Sequence, residues 1–402
     1  MSTATAVAKK GIDDIEVGGR RVLLRVDFNV PTEGDRIVDD RRIRAALPTI
    51  EALRERGGRV VVVTHFGRPK GKVDDALRVA PLAKRLGELL GITVPVAADS
   101  GGEASRALVD SLCPGDVCML ENIRFDPEEE TNGERLVGRL AALADLYVND
   151  AFGAAHRAHA STEGVAHRLP AVAGRLMQRE LEMLGSVLGS PRRPLVAIVG
   201  GAKISSKLGV VRSLLSRVDT LWVGGAMACT FYRALGEETG TSLVEPDQVD
   251  TAMSLLEESR SGGGADLRLP VDMVVVAEPK PGAATEAVAW KAIPADRMAV
   301  DVGPDTVQQM AESCAGAGTI VWNGPLGIYE IDDFARGTRA VAEAVASSRA
   351  TSIIGGGDLA AALDTLGVAD RITHVSTGGG ATLEFLEGRT LPGVAALLDR
   401  DS

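Results

Sequence analysis

Residues 195–207 read LVAIVGGAKISSK, and this stretch decides the fold. Its first five residues are apolar and mostly β-branched with no polar alternation, as a strand buried on both faces requires. Gly200 and Gly201 end the strand, and the residues after them are predicted to open a helix. Two glycines let backbone come close to a ligand, and a helix N-terminus aims N–H groups at anions. Lys203 and Lys207, four apart, would share one face of that helix. A tight turn carrying two solvated lysines explains the same residues equally well, so the stretch calls for support from elsewhere in the chain.

Working outward, Pro191 and Pro194 forbid a helix running into this strand. The preceding Arg175–Leu188 segment has helical spacing. The chain has 402 residues, enough for two domains. The reading is therefore an N-terminal domain over 1–174, a connecting helix and hinge over 175–194, and a C-terminal domain over 195–402 whose last residues pack back on the first domain. Further apolar runs are predicted as strands: Val22–Asp27, Arg59–Thr64, Ile92–Val96, Val117–Leu120 and Leu146–Asn149 in the first half. The second half adds Thr220–Val223, Asp272–Val276, Met298–Asp301, Thr319–Trp322, Ser352–Ile354 and Ile372–Val375. Amphipathic stretches such as Arg42–Arg56, Val79–Leu90, Glu134–Ala144 and Arg336–Ser347 fall between them. This alternation predicts an α/β protein of two Rossmann-like domains with parallel sheets.

Composition narrows the function. Lys plus Arg number 44 against 55 Asp plus Glu, a formal charge of −11, which argues against a sequence-independent nucleic-acid binder. Aromatics at 3% leave little for base-stacking platforms. No apolar run reaches membrane-spanning length, and the start, MSTATAVAKKGIDD, lacks a signal-peptide pattern, so no membrane partner and a cytoplasmic location are expected. Cys113, Cys118, Cys229 and Cys314 stand singly and read as plain buried thiols. Glu128-Glu129-Glu130 reads as a solvated charge run, and SGGG at 261–264 as a loop.

Sites in open parallel sheets lie at the carboxyl ends of strands. In the first half those ends carry Arg25-Val26-Asp27-Phe28-Asn29, then His65-Phe66-Gly67-Arg68. They continue with Glu121-Asn122-Ile123-Arg124 and with Asn149-Asp150, the latter followed by His156-Arg157-Ala158-His159. One arginine in a loop is an ordinary solvated charge. Guanidinium and imidazole groups at four strand ends of an acidic chain point to a small polyanion, with Asp27 and Asn29 accepting from its hydroxyls. In the second half the strand ends are Gly-rich: Gly224-Gly225, Asn323-Gly324-Pro325, Gly355-Gly356-Gly357-Asp358 and Gly378-Gly379-Gly380. They point to a nucleotide whose phosphates lie along backbone amides, with Asp358 able to hold Mg²⁺. A GxxxxGK[ST] motif is absent.

These residues resemble the phosphoglycerate kinase family over nearly the whole chain. The resemblance rests on LLRVDFNVP (23–31), DRRIRAALPTI (40–50), THFGRPKG (64–71), ENIRF (121–125), NDAFGAAHRAHAS (149–161), GGAKISSK (200–207), WNGPLGIYE (322–330), GGGD (355–358) and STGGGATLEFLEG (376–388). It implies two domains facing a cleft and closing by hinge bending. The implied reaction is reversible phosphoryl transfer between 1,3-bisphosphoglycerate and Mg-ADP, giving 3-phosphoglycerate and Mg-ATP, by a monomer. By resemblance the glycerate contacts are Asp27, Phe28, Asn29, Arg42, His65, Phe66, Gly67, Arg68, Arg124 and Arg157. The nucleotide contacts are Gly201, Lys203, Lys207, Gly225, Asn323, Pro325, Glu330, Gly356, Gly357, Asp358 and Leu359, with Mg²⁺ on Asp358. Arg42, Lys203, Gly357 and Gly379 would attend the migrating phosphoryl group.

The chain departs from the family pattern at three places. Leu359 replaces a hydroxyl residue after GGGD, Ala299 stands where Gly is usual near the adenine, and Ala154 replaces Thr. These departures keep a catalytically reduced relative, binding glycerate or nucleotide without turnover, as an alternative. Gly355–Ala360 formally fits a dinucleotide fingerprint, but a nicotinamide dehydrogenase would leave the arginine-bearing strand ends unexplained. A two-lobed binding protein is the remaining alternative.

Overall fold

Val22, Leu23, Leu24, Val60, Val61 and Val62 are all fully buried, so the strands they form must be covered on both faces. The computed structural model describes residues 8–261 and 264–400; Met1–Val7, Gly262 and Gly263 lie outside the described residues, and with them part of the MSTATAVAKKGIDD start and of the 261–264 loop. The described residues form two compact units, one of residues 8–182 with 390–400, the other of residues within 183–389.

In the first unit, β1 (Arg21–Arg25) is followed by a short hairpin, β2 (Thr32–Glu33) with β3 (Arg36–Ile37). Then come β4 (Arg59–Val63), β5 (Val117–Met119), β6 (Leu146–Asn149) and β7 (Ala171–Ala173). The main sheet has the order β5-β4-β1-β6-β7 and is parallel throughout. Ile43, Ile50 and Leu53 from the helix Arg41–Glu55, and Leu82 and Leu86 from Ala80–Leu90, join the sheet's core. The order reverses between β1 and β6, where Arg25 pairs with Asn149. That reversal opens a crevice at the strand ends. The segment from Thr390 packs on this unit: Asn149 Nδ2 donates to Gly393 O at 3.1 Å, and Gly393 N to Ala155 O at 2.8 Å.

The second unit contains β8 (Leu195–Val199), β9 (Thr220–Val223), β10 (Asp266–Arg268), β11 (Asp272–Val276), β12 (Glu286–Ala289), β13 (Met298–Val302), β14 (Thr319–Asn323), β15 (Thr351–Gly355) and β16 (His374–Val375). Six form a parallel sheet, β10-β9-β8-β14-β15-β16, reversing between β8 and β14. Its core joins Ile198, Trp222, Ile320 and Trp322 to Met310, Val341, Leu359 and Leu363.

The structure differs from the sequence reading in several elements. The order β12-β11-β13 is a separate antiparallel sheet, where only parallel sheets were expected. Ile92–Val96 is not a strand: only Val96 bridges to Met119, because Pro95 has no N–H to give and offers its carbonyl to Met119 instead. The helix predicted after Gly201 begins only at Leu208, and the residues between run through bends and turns. Glu245 takes the Ser205 N–H at 3.1 Å, diverting a donor that a helix would have used. All four cysteines are unpaired, but Cys113 is exposed rather than buried.

Candidate active site

In the first unit the switch point between β1 and β6 gathers charge. Past the end of β1, Asp27 accepts from Arg42 Nη1, 3.2 Å to each carboxylate oxygen, and Arg42 also donates to Asn29 O at 3.0 Å. Asn29 Oδ1 receives the Gly67 N–H at 2.9 Å, and Arg124 Nη1 donates to Gly67 O at 2.7 Å. The loops after β1, β4 and β5 are thus tied together through groups that the sequence placed at strand ends. Gly67, with φ +61°, lets the β4 loop turn here. Phe28 and Phe66 are buried in the apolar core of this unit.

Arg124 is 4% exposed, and burial together with Arg157 and Arg25 pushes its pKa down. Its Nε pairs with Glu130 at 3.3 Å. Arg157 donates from Nε to His156 Nε2 at 3.1 Å. Arg68 is exposed, with no carboxylate in ion-pair range among the described residues. His65 is 6% exposed, and burial, then Arg25, Arg124, Arg42 and Arg157 hold its pKa well below the ordinary imidazole value. Arg25 hydrogen-bonds the ring from behind, while Arg42, Arg124 and Arg157 concentrate positive charge at this strand end, a field that favours an anion.

Asn122, Glu129 and Ser161 were missed as site residues. Asn122 is fully buried: its Oδ1 accepts the Phe66 and Arg124 N–H groups, and its Nδ2 donates to Phe66 O at 2.7 Å. The 121–125 segment carried that signal, but it pointed to Arg124. Glu129 corrects the solvated-run reading. Its carboxylate is fully buried, accepting from Ser161 Oγ at 2.6 Å and Ser161 N at 3.0 Å.

In the second unit a cavity of about 300 Å³ lies at the β8/β14 reversal, lined by Gly201, Lys203, Lys207, Asn323, Pro325, Gly356, Asp358 and Leu359 among others. Backbone approaches backbone closely here. A Cβ on Gly324 (φ +87°) would collide with Gly200 O, and one on Gly225 (φ +70°) would lie 2.7 Å from Gly201 N. Lys207 Nζ donates to Asn323 Oδ1, and burial lowers the lysine's pKa while Asp358 opposes the shift. Asn323 Nδ2 is buried without a hydrogen-bond partner, leaving a donor beside the cavity. The helix Gly357–Thr365 makes its first backbone bond from Ala360 N to Gly356 O, so the N–H groups of Gly357, Asp358 and Leu359 precede the helical ladder. Gly225, Glu330, Gly357 and Gly379 are not among the lining residues; Gly379 caps the short helix Gly380–Leu386 with φ +52°. Leu359 borders the cavity, but the whole residue is fully buried and its side chain belongs to the apolar core.

For a divalent cation, Asp358 is exposed, and no cluster of three His, Cys, Asp or Glu occurs among the described residues. That donor set fits Mg²⁺ carried in by phosphates and completed by one carboxylate and water, not a cage made by the protein alone.

Guanidinium groups gathered at the switch point of one doubly wound unit, and glycines and lysines lining a cavity at that of the other, are the arrangement a two-domain phosphotransferase calls for. The sequence pattern of phosphoglycerate kinase matches residues 12–389. The chain is 55% identical over 394 residues to phosphoglycerate kinase of Pelotomaculum thermopropionicum and 54% identical to that of Moorella thermoacetica, each alignment covering 98% of this chain and all of the relative. The solved structure of phosphoglycerate kinase from Coxiella burnetii superimposes with a TM-score of 0.88 at 41% identity, covering 96% of this chain and 98% of that one. The Pyrococcus horikoshii enzyme gives 0.85 at 34% identity, with the same coverage. The chain belongs to the phosphoglycerate kinase family.

Proposed function

We propose that the two strand-end surfaces are the half-sites of a reversible phosphoryl transfer between 1,3-bisphosphoglycerate and Mg-ADP, yielding 3-phosphoglycerate and Mg-ATP. The observation that carries the reading is the division of labour at the two switch points: guanidinium groups around His65 in one unit, glycines and lysines around Asn323 in the other. Asp27, Asn29, His65, Arg68, Arg124 and Arg157 bind the glycerate, with Phe28, Phe66 and Gly67 shaping their loops. Gly201, Gly225, Lys207, Asn323, Pro325 and Gly356–Leu359 hold the nucleotide, Glu330 takes its ribose hydroxyls, and Asp358 meets the Mg²⁺ that arrives with it.

Phosphoryl transfer needs in-line positioning and compensation of charge on the equatorial oxygens rather than covalent help from the protein. Arg42 and Lys203 supply that charge, and the helix N-termini at Gly357 and Gly379 supply backbone donors. Bound Mg²⁺ adds neutralisation of phosphate charge. The glycerate carboxylate is already ionised and attacks without a general base, so neutral His65 acts as a hydrogen-bond donor. Since the half-sites belong to different units, transfer calls for closure over residues 175–194. A monomer working in the cytoplasm suits this glycolytic reaction.

The test is ADP production from Mg-ATP with and without 3-phosphoglycerate, with a coupling enzyme draining the acyl phosphate. Glycerate-dependent turnover that disappears in Lys203→Ala is the expected result. A folded protein that binds 3-phosphoglycerate and makes no ADP overturns the kinase reading in favour of a reduced relative.

A further inference from the structure

Arg25, the last residue of β1, is 1% exposed, and each of its three side-chain nitrogens is engaged inside the protein. Its Nε donates to Ser161 Oγ at 2.8 Å, its Nη1 to Val26 O, and its Nη2 meets His65 Nδ1 at 3.1 Å. Buried and so engaged, Arg25 is not one of the guanidinium groups offered to substrate. Ser161 Oγ in turn reaches Glu129 Oε1 at 2.6 Å.

The direction of every link follows from chemistry. A guanidinium only donates and a carboxylate only accepts, so the hydroxyl accepts from Arg25 and gives its proton toward Glu129. By the same rule His65 Nδ1 must be an unprotonated acceptor, and the ring proton sits on Nε2. That nitrogen faces Asp27 Oδ1 at 3.9 Å, beyond hydrogen-bond range, so its N–H is available to a ligand oxygen at the mouth of the site. Burial works against the charge on Glu129, while Arg25 and both Ser161 bonds favour it. Ionised, it supplies the charge opposite a buried guanidinium that would otherwise be stranded.

We propose that Arg25, held by Ser161 and the buried Glu129 carboxylate, is a positioning residue that locks His65 in the Nε2–H tautomer and aims that proton at the bound anion. The substrate part of this inference rests on the glycerate reading above; the tautomer part does not.

The experiment is ring-nitrogen NMR of His65 in the full chain, alongside calorimetric titration with 3-phosphoglycerate. The wild type is expected to show a single Nε2–H tautomer. Arg25→Met/Glu129→Gln removes both buried charges together, so neither is stranded. In it His65 is expected to populate both tautomers, and the dissociation constant to rise about tenfold, the equivalent of one hydrogen bond. If that variant does not fold, Ser161→Ala deletes only the bridging hydroxyl and is expected to produce a partial tautomer mixture. An Nδ1–H ring in the wild type, or an unchanged single tautomer in the folded variants, overturns the proposal. So does a mixed tautomer with unaltered affinity, because the lock then has no bearing on binding. Failure of the wild type to bind 3-phosphoglycerate instead overturns the glycerate reading, and the spectrum still decides the tautomer.

Discussion

Leu359 follows Asp358 at the place where the family pattern has a hydroxyl, and from sequence it raised the prospect of a weakened phosphate site. The residue has no exposed surface, and its side chain packs with Trp322 and Leu363 in the apolar core beside the cavity. Leu359→Ser is therefore a core truncation. It is expected to destabilise the second unit by about 3 kcal/mol or more, read from denaturant unfolding, without improving the KM for ATP. A lower KM at unchanged stability would restore the phosphate-site view. Arg42 presents the opposite case: it is one-third exposed and bonded to Asp27 and Asn29, within its own unit. Arg42→Ala is expected to remain folded and lose on the order of 10³ in turnover, the scale of an arginine that compensates transition-state charge. Such residues were legible because arginines at several strand ends form a pattern. Glu129 was not, since its burial depends on Ser161 and Arg25, both distant in the chain, while its neighbours make it look solvated.

At the scale of elements, the central strands could be read because burial on both faces leaves an uninterrupted apolar run. The elements that escaped lack that signal. β12 is mostly exposed, β10 has charged ends, and β7 is a three-residue Ala-Val-Ala segment. Ile92–Val96 had the right composition, but Pro95 breaks its ladder. The glycine turns were legible as punctuation, whereas the reason for them is spatial: the ends of β8 and β14 meet backbone to backbone. Gly324→Ala combines a positive φ with a collision against Gly200 O. It is expected to cost about 1–3 kcal/mol and to weaken Mg-ADP binding at least about tenfold by calorimetry, while leaving 3-phosphoglycerate binding unchanged. Equal loss at both ligands would mean that the turn supports the whole chain instead of the phosphate cradle.

Over the whole molecule, each unit buries an aspartate at the end of a strand. Asp150, fully buried, accepts the Met177 N–H at 3.1 Å near the start of the helix Arg175–Leu188. Asp301, 1% exposed, accepts the Gly337 N–H at 2.6 Å and the Val302 N–H at 2.9 Å. Burial pushes Asp150 up to about 6 and Asp301 up to about 7, against those hydrogen bonds. A folded pKa above the unfolded value means the native state holds its proton more tightly. The stability these groups contribute is therefore full below about pH 4 and is lost as pH rises through about 6 and about 7. Asp14, Asp39, Asp40, Asp99 and Asp145 have lowered pKa values, so their contribution is lost in the opposite direction, as pH falls below the usual carboxylate range. Between pH 5 and 8 only the raised pair titrates among these seven. At about 1.36 kcal/mol per pKa unit, the two aspartates together contribute a fall of roughly 4 kcal/mol over that window, while His65 and His159, whose pKa values are lowered, contribute a rise up to the ordinary imidazole value. In Asp301→Asn the aspartate share shrinks to roughly 1 kcal/mol, that of Asp150, so between pH 5 and 8 the variant is expected in denaturant unfolding to lose roughly 3 kcal/mol less than the wild type, the histidine contribution being common to both. The variant starts less stable, because one amide group cannot accept both N–H bonds and turns a donor toward a donor. The slope against pH, not the absolute stability, is thus the readout. A slope equal to that of the wild type would mean that the Gly337 and Val302 bonds already keep Asp301 ionised at pH 5, and that burial does not govern its proton.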